Sequence, residues 1–214
     1  LMVYNEELEK DIPIGWSVER LSKYLDSNTE NYSLSDNYET INYFDTSSVT
    51  NNVFEKPVSL NIEFDVIPSR AKRKVKENDL VYSTIRPNLK HFGLIKSPLK
   101  NTLVSTGFTV LSNKNKIFGN EFFLLFLSSE VVLSYLQSKA EMSVSTYPSI
   151  KPEDLLNLKI SEPKKLKIVE SLNVFLHSIY CSNNTRNEEN QILQELQSLL
   201  LAKMTQQETK LQAV

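Results

Sequence analysis

Cysteine is nearly absent from this chain, and that removes whole classes of structure. The lone Cys181 permits no internal disulfide and argues against a cysteine-ligated zinc site. Histidine is as scarce: His91 and His177 are too few and too far apart to suggest a metal cluster. The four glycines, Gly15, Gly93, Gly107 and Gly119, are scattered, so no glycine-rich phosphate loop is formed. No apolar run comes near the roughly eighteen residues of a membrane span, and no charged-then-apolar leader is seen. A cytoplasmic, reducing setting is therefore expected, with no membrane, metal or cofactor. Leu1 ahead of Met2 suggests a boundary rather than a natural start.

What is present is a chain of 214 residues, 40% hydrophobic and 23% charged. That is long enough for one full domain plus an appended element, and too apolar for wholesale disorder. The net charge of −2 conceals an uneven distribution. Residues 1–65 carry thirteen acidic and four basic side chains, a balance of −9. Residues 69–100 carry nine basic and two acidic, a balance of +7. Charge separated in this way creates a local potential even when the total is near zero, so an acidic pI does not exclude a nucleic-acid partner.

Residues 12–26, IPIGWSVERLSKYLD, suggest a turn, a strand containing Trp16 and Val18, and a short helix. Strand-like runs follow at ETINYFDTSSV, FDVIP, DLVYST, FGLIK and LVSTGFTVL, separated by polar, proline or charged breaks. That spacing predicts a curled or small barrel-like β region. Residues 120–139, with Asn120 as N-cap, read as one or two core helices. A single helical turn near Pro152–Leu156 and a final strand complete an α+β domain closed by Pro163.

Beyond Lys164 no glycine or proline interrupts the chain to about Thr209. Heptad spacing aligns Leu172, Phe175 and Ile179 at one end and Leu193, Leu196 and Leu200 at the other, with a polar middle around SNNTRNEEN. A helix of forty residues is about 60 Å long, more than the preceding domain needs for its own core, so a second helix is expected to pair with it. One continuous helix is favoured over a hairpin because no glycine or proline marks a turn.

Five positive charges fall between Arg70 and Lys76. Such a run is either a solvated loop or a phosphate-holding surface, and counterion release draws on it whatever the base sequence. Arg70, Lys72, Arg73, Lys74, Arg86 and Lys90 are the candidate phosphate contacts. Ser83, Thr84, Asn88 and Tyr147 are candidate base-proximal groups. Pro87 is expected to hold Arg86 extended, aiming its guanidinium at DNA or at an internal carboxylate such as Asp45 or Asp79. Trp16 reads as a core anchor. Catalytic constellations are poor: Asp65, Asp79 and Lys74 form at best a loose, unspecific nuclease-like set, so an enzyme acting alone is disfavoured.

In order, IPIGWSVERL, YFDTSSV, AKRKVKENDLVYSTIRPNLK, VSTGFTVL and YPSIKPEDLLNLKI resemble a target recognition domain of type I restriction-modification specificity subunits. The tail NTRNEENQILQELQSLL resembles the long helix that follows each such domain. The resemblance implies a non-catalytic subunit. Residues 1–163 then read one half of a bipartite site on double-stranded DNA. Residues 164–214 pair as an antiparallel coiled coil that sets spacing and docks methyltransferase subunits, with a restriction subunit joining. Full-length members have two recognition domains and two helices. One of each implies either a half-sized subunit forming a homodimer or the second half of a longer chain, and MVYNEELEKDIPIGW resembles the opening of such a second half. A standalone metal-dependent nuclease with a dimerising helix, and a helix-mediated scaffold, are the alternatives.

Overall fold

A computed structural model describes residues 1–143 and 147–211, with side chains described as far as residue 204. In chain order the first strands are β1 (Met2–Asn5), β2 (Lys10–Pro13), β3 (Ser17–Arg20), β4 (Leu25–Ser27) and β5 (Thr40–Phe44). Then come β6 (Val49–Thr50), β7 (Val53–Phe54), β8 (Val58–Asn61), β9 (Ala71–Lys74), β10 (Leu80–Ser83) and β11 (Phe92–Leu94). The strands β12 (Thr102–Ser105) and β13 (Phe108–Asn113) precede the helices α1 (Asn120–Leu127), α2 (Glu130–Glu141) and α3 (Pro152–Leu156). A last strand, β14 (Lys159–Glu162), leads into α4 (Leu166–Leu211). The residues fall into two compact units, Leu1–Asn173 and Val174–Val214.

The α+β class is observed, but the curled, barrel-like β region is not. The strands form two open four-stranded sheets, β11-β10-β13-β4 and β8-β5-β12-β9, and three two-stranded ones. The reason lies in LVSTGFTVL, which looks like one strand in sequence. The chain bends at Thr106 and Gly107, so that β12 pairs with β5 and β9 while β13 pairs with β10 and β4. One run thus serves two sheets and closes neither.

Strand β12 is buried along its whole length. Its side chains alternate between two cores, as the pleat requires. Val104 joins Val49, Val81, Ile95, Phe108 and Val110, whereas Leu103 joins Ile41, Tyr43 and Ala71. Burial of both faces is why the run shows no polar alternation. Aromatic packing links the residue just before β4 to α1: Tyr24 meets Phe118 edge-on at 5.4 Å, and Phe118 stacks on Phe122 at 4.3 Å.

Three local expectations are corrected. FDVIP is not a strand but part of the β8–β9 connection, and the basic run Ala71–Lys74 is itself the strand β9. Trp16 is half-buried rather than a core anchor, and Tyr24 takes the fully buried aromatic position nearby. α4 is one continuous 46-residue helix, and the expected antiparallel pairing with a second helix lies outside this single chain. Its residues Phe175, Ile179, Leu193, Leu196 and Leu200 are exposed, while Leu172, within the first unit, is half-buried.

Candidate nucleic-acid interface

The basic run is built into a sheet, which decides which of its charges remain available. Strand β9 is the last strand of its sheet, bonded on one side to β12. Along its other side lies the segment around Asn31: Tyr32 N–H donates to the Lys72 carbonyl at 2.7 Å and Lys74 N–H to that of Glu30 at 3.2 Å. This covers an otherwise open edge and brings acidic residues onto the lysines. Lys74 Nζ pairs with Asp36 at 2.5 Å, Lys76 Nζ pairs with Glu30, and Arg73 Nη1 donates to Asn31 Oδ1 at 2.7 Å. Hydrogen bonds from Lys76 and Lys74 hold the Glu30 and Asp36 carboxyls below the usual carboxylate range. Folding therefore closes much of the charge separation seen along the chain.

Arg70 and Lys72 stand apart. Both are exposed, and neither has an ion pair among the described residues. The Arg70 guanidinium lies against the bend between β12 and β13, where a Cβ added to Gly107 would come within 2.6 Å of Nη2. The Arg70 backbone is fixed there as well, its carbonyl accepting from Thr106 N–H at 2.9 Å. Arg73 is half-buried, and its Nε is enclosed without a hydrogen-bond partner.

The second group of candidates clusters at the end of β10. Ser83 is buried and its hydroxyl donates to the Ile85 carbonyl at 3.0 Å. Thr84 Oγ1 donates to the Gly107 carbonyl at 3.0 Å, which ties this turn to the bend that the Arg70 guanidinium lies against. Asn88 N–H donates to Gln137 Oε1 at 3.2 Å, and Lys90 Nζ pairs with Glu130 at 2.6 Å. Those two residues line a small cleft against α2 with Leu133 and Ser134.

Arg86 overturns the expectation of an extended backbone. Its φ is 47° and ψ 72°, in the left-handed region, and Pro87 then opens a short 3-10 turn. Neither proposed internal carboxylate receives it. Asp79 is buried, accepting from Lys76 N–H and from the Ser112 hydroxyl at 2.7 Å each, and Asp45 accepts from Tyr43 at 3.1 Å. Burial raises the Asp79 pKa against the pull of those bonds. The Arg86 guanidinium instead lies 5.4 Å from the centre of the exposed Tyr147 ring. Arg86 N–H donates to the Pro148 carbonyl at 3.0 Å, and Ile150 N–H to that of Thr84 at 2.9 Å, so the segments around Arg86 and Tyr147 are laced together. Sequence reading named both residues but not their contact, because sixty-one positions separate them.

The residues missed were Glu30, Asn31 and Asp36, which settle how much of the basic run is free. Their signal was the acidic N-terminal third, read as a total rather than as partners. The loose set of Asp65, Asp79 and Lys74 is not brought together as ligands: Asp65 Oδ2 accepts from Asn61 N–H at 2.7 Å, and the other two are engaged as above. Among the described residues no three or more His, Cys, Asp or Glu side chains are grouped to hold a metal. Among them, too, no helix is long and apolar enough to cross a membrane.

Comparison with known proteins bears on the same residues. Residues 14–197 match the family model described as type I restriction modification DNA specificity domain. The specificity subunit of the type I restriction enzyme HindI from Haemophilus influenzae is 28% identical over 156 residues, 73% of this chain and 32% of that protein. The HsdS subunit from Thermoanaerobacter tengcongensis has a similar fold, with a TM-score of 0.61 at 22% identity, covering 84% of this chain and 46% of that one. A chain solved in work on complex assembly and conformational transition of the type I R-M system gives a TM-score of 0.63 at 24% identity, with the same coverage. This chain thus spans about a third of the curated relative and just under half of the solved ones. The match to the family model extends over most of the sequence, and the chain belongs to the type I restriction modification DNA specificity domain family.

Proposed function

We propose that the chain is a non-catalytic DNA-specificity subunit of a type I restriction-modification system, or one half of such a subunit. In this reading residues 1–163 recognise one half of a bipartite site on double-stranded DNA. Residues 164–214 pair with a second helix, set the distance between half sites and dock the methyltransferase subunits, and restriction subunits join the assembly. The second helix comes from another copy of the chain or from the other half of a longer one. The setting is the cytoplasm, where the DNA is.

The family match across residues 14–197 carries the reading. The geometry supports a division of labour among the candidates. Arg70, Lys72 and Arg86 are exposed cations without ion pairs among the described residues, suited to phosphates and base edges. Arg73 is half-buried and already donates to Asn31, so it is less available. Lys74 and Lys90, each held by a carboxylate, contribute less. Thr84, Asn88 and Tyr147 reach towards the bases in this reading, and the buried Ser83 shapes its turn from within. Leu172, Phe175, Ile179, Leu193, Leu196 and Leu200 supply the helix contacts.

Mapping methylated bases in cells that carry this chain and its methyltransferase tests the reading. An interrupted motif that depends on the chain supports it; methylation indifferent to the chain refutes it. No observation favours the standalone nuclease, and cleavage of DNA by the purified chain with magnesium would revive it.

A further inference from the structure

We propose that Arg86 and Tyr147 act as one base-reading unit, presenting a fixed guanidinium edge to a guanine in the recognised half site. The inference rests on the DNA-reading role above and narrows it to a specificity-determining pair.

The backbone at Arg86 is the first observation. A residue ahead of proline is driven towards extended geometry, and a non-glycine side chain at positive φ is strained. Arg86 carries both handicaps at once, with φ 47° and Pro87 following, as does Ser97 ahead of Pro98. Of the other ten described non-glycine residues at positive φ, six are asparagine and the rest are Glu9, Lys90, Ser97 and Lys116. Asparagine tolerates the left-handed region because its short side chain bonds locally. A turn alone does not require arginine at position 86. Strain of this kind persists where the surroundings over-determine it, and it gathers at ligand-contacting sites.

The surroundings do over-determine it. Ile85 and Ser149 form an antiparallel bridge, flanked by the bonds from Arg86 N–H to Pro148 and from Ile150 N–H to Thr84. Pro148 and Pro87 stiffen the chain directly beside Tyr147 and Arg86. The result is an exposed guanidinium held over an exposed phenol ring, with no internal carboxylate to neutralise it among the described residues. A cation held over a ring face is restrained in position while its N–H donors stay open to a partner. Two parallel donors on a planar fork match the O6 and N7 acceptors of guanine in the major groove. The same fork can grip a phosphate, but a phosphate contact carries no base preference.

That contrast supplies the test. The full chain, assembled with its methyltransferase subunits, is incubated with a randomised duplex pool, and the bound fraction is sequenced. Arg86→Lys keeps the charge and loses the fork; Tyr147→Ala loses the platform; Tyr147→Phe keeps it. Arg86→Lys and Tyr147→Ala are expected to lose about tenfold preference at one G·C position, while total pool affinity stays within about threefold. Tyr147→Phe keeps the wild-type motif. Arg86→Gly, which relaxes the backbone, loses the same preference without melting below the wild type. An Arg86→Lys chain that enriches the wild-type motif unchanged overturns the inference, as does an equal loss at every position. Marked destabilisation by Arg86→Gly also overturns it, because Arg86 would then serve the fold. A wild-type assembly that enriches no sequence overturns the DNA reading itself, and the inference with it.

Discussion

Replacing Arg70 and Lys72 together with alanine removes the two exposed cations of the basic run that no described carboxylate holds. Each phosphate neutralised on duplex DNA adds about 0.9 to the slope of log affinity against log salt. Over a fourfold rise in salt, from about 50 to about 200 mM, one contact therefore accounts for a factor of about 3.5 and two for about 12. The double variant should accordingly show a salt slope shallower by about 1.8 than the wild type. Lys76→Ala is the matched control: it removes the same kind of charge, but one already paired with Glu30. Its slope should equal that of the wild type. Fluorescence anisotropy of a labelled duplex, titrated at several salt concentrations, reads both quantities. Equal slopes for the wild type and the Arg70 and Lys72 variant would refute the reasoning. So would a slope lost equally on removing Lys76, because the sheet edge would then not have sorted the charges.

Three further outcomes follow from the packing and the titratable groups. The raised Asp79 pKa, caused by burial, means that ionisation weakens the fold above the folded pKa and that protonation relieves it as pH falls towards the unfolded value. Asp79→Asn, which can still bond Lys76 N–H and the Ser112 hydroxyl, should gain on the wild type most at neutral pH. Thermal melts should show that gain shrinking through the acid limb; a constant difference would contradict it. Gly93→Ala would place a methyl 2.5 Å from the Phe54 ring and 3.2 Å from Val49. Overpacking of this kind costs about 1–3 kcal/mol, and an unchanged melting temperature would show that the contact yields freely. Leu196→Glu with Leu200→Glu should abolish association of the helix in sedimentation measurements while leaving the β-sheet far-ultraviolet signal intact. Unaltered association would remove these residues from the pairing surface.

Much of the fold was legible where a local rule decided the outcome. Pro152 opens a helical turn, the glycine- and proline-free stretch makes one helix from Leu166 to Leu211, and DLVYST makes β10. What escaped was decided by distant partners. Ala71–Lys74 looked like a solvated run because its charges are local, while the bonds that make it a strand come from Asn31 and β12. LVSTGFTVL looked continuous because both halves are buried, and only pairing reveals that they serve different sheets. At the candidate site the residue types were visible, but the Asp36 and Glu30 pairs with the lysines, and the Arg86 contact with the Tyr147 ring, join positions dozens of residues apart. Arg86 was misjudged for a different reason. The rule for a residue before proline is a preference, and here bonds to Pro148 and the following turn override it.

The central claim, that this chain selects a DNA sequence for a methyltransferase, meets its most direct test in the methylation pattern it produces. Cells lacking the chain and cells carrying it with the methyltransferase subunits are compared by base-resolution mapping. The account predicts one interrupted motif that appears only when the chain is present, symmetric if two copies pair through the helix and asymmetric if a second recognition half is supplied. Methylation at the same sites with and without the chain would contradict it.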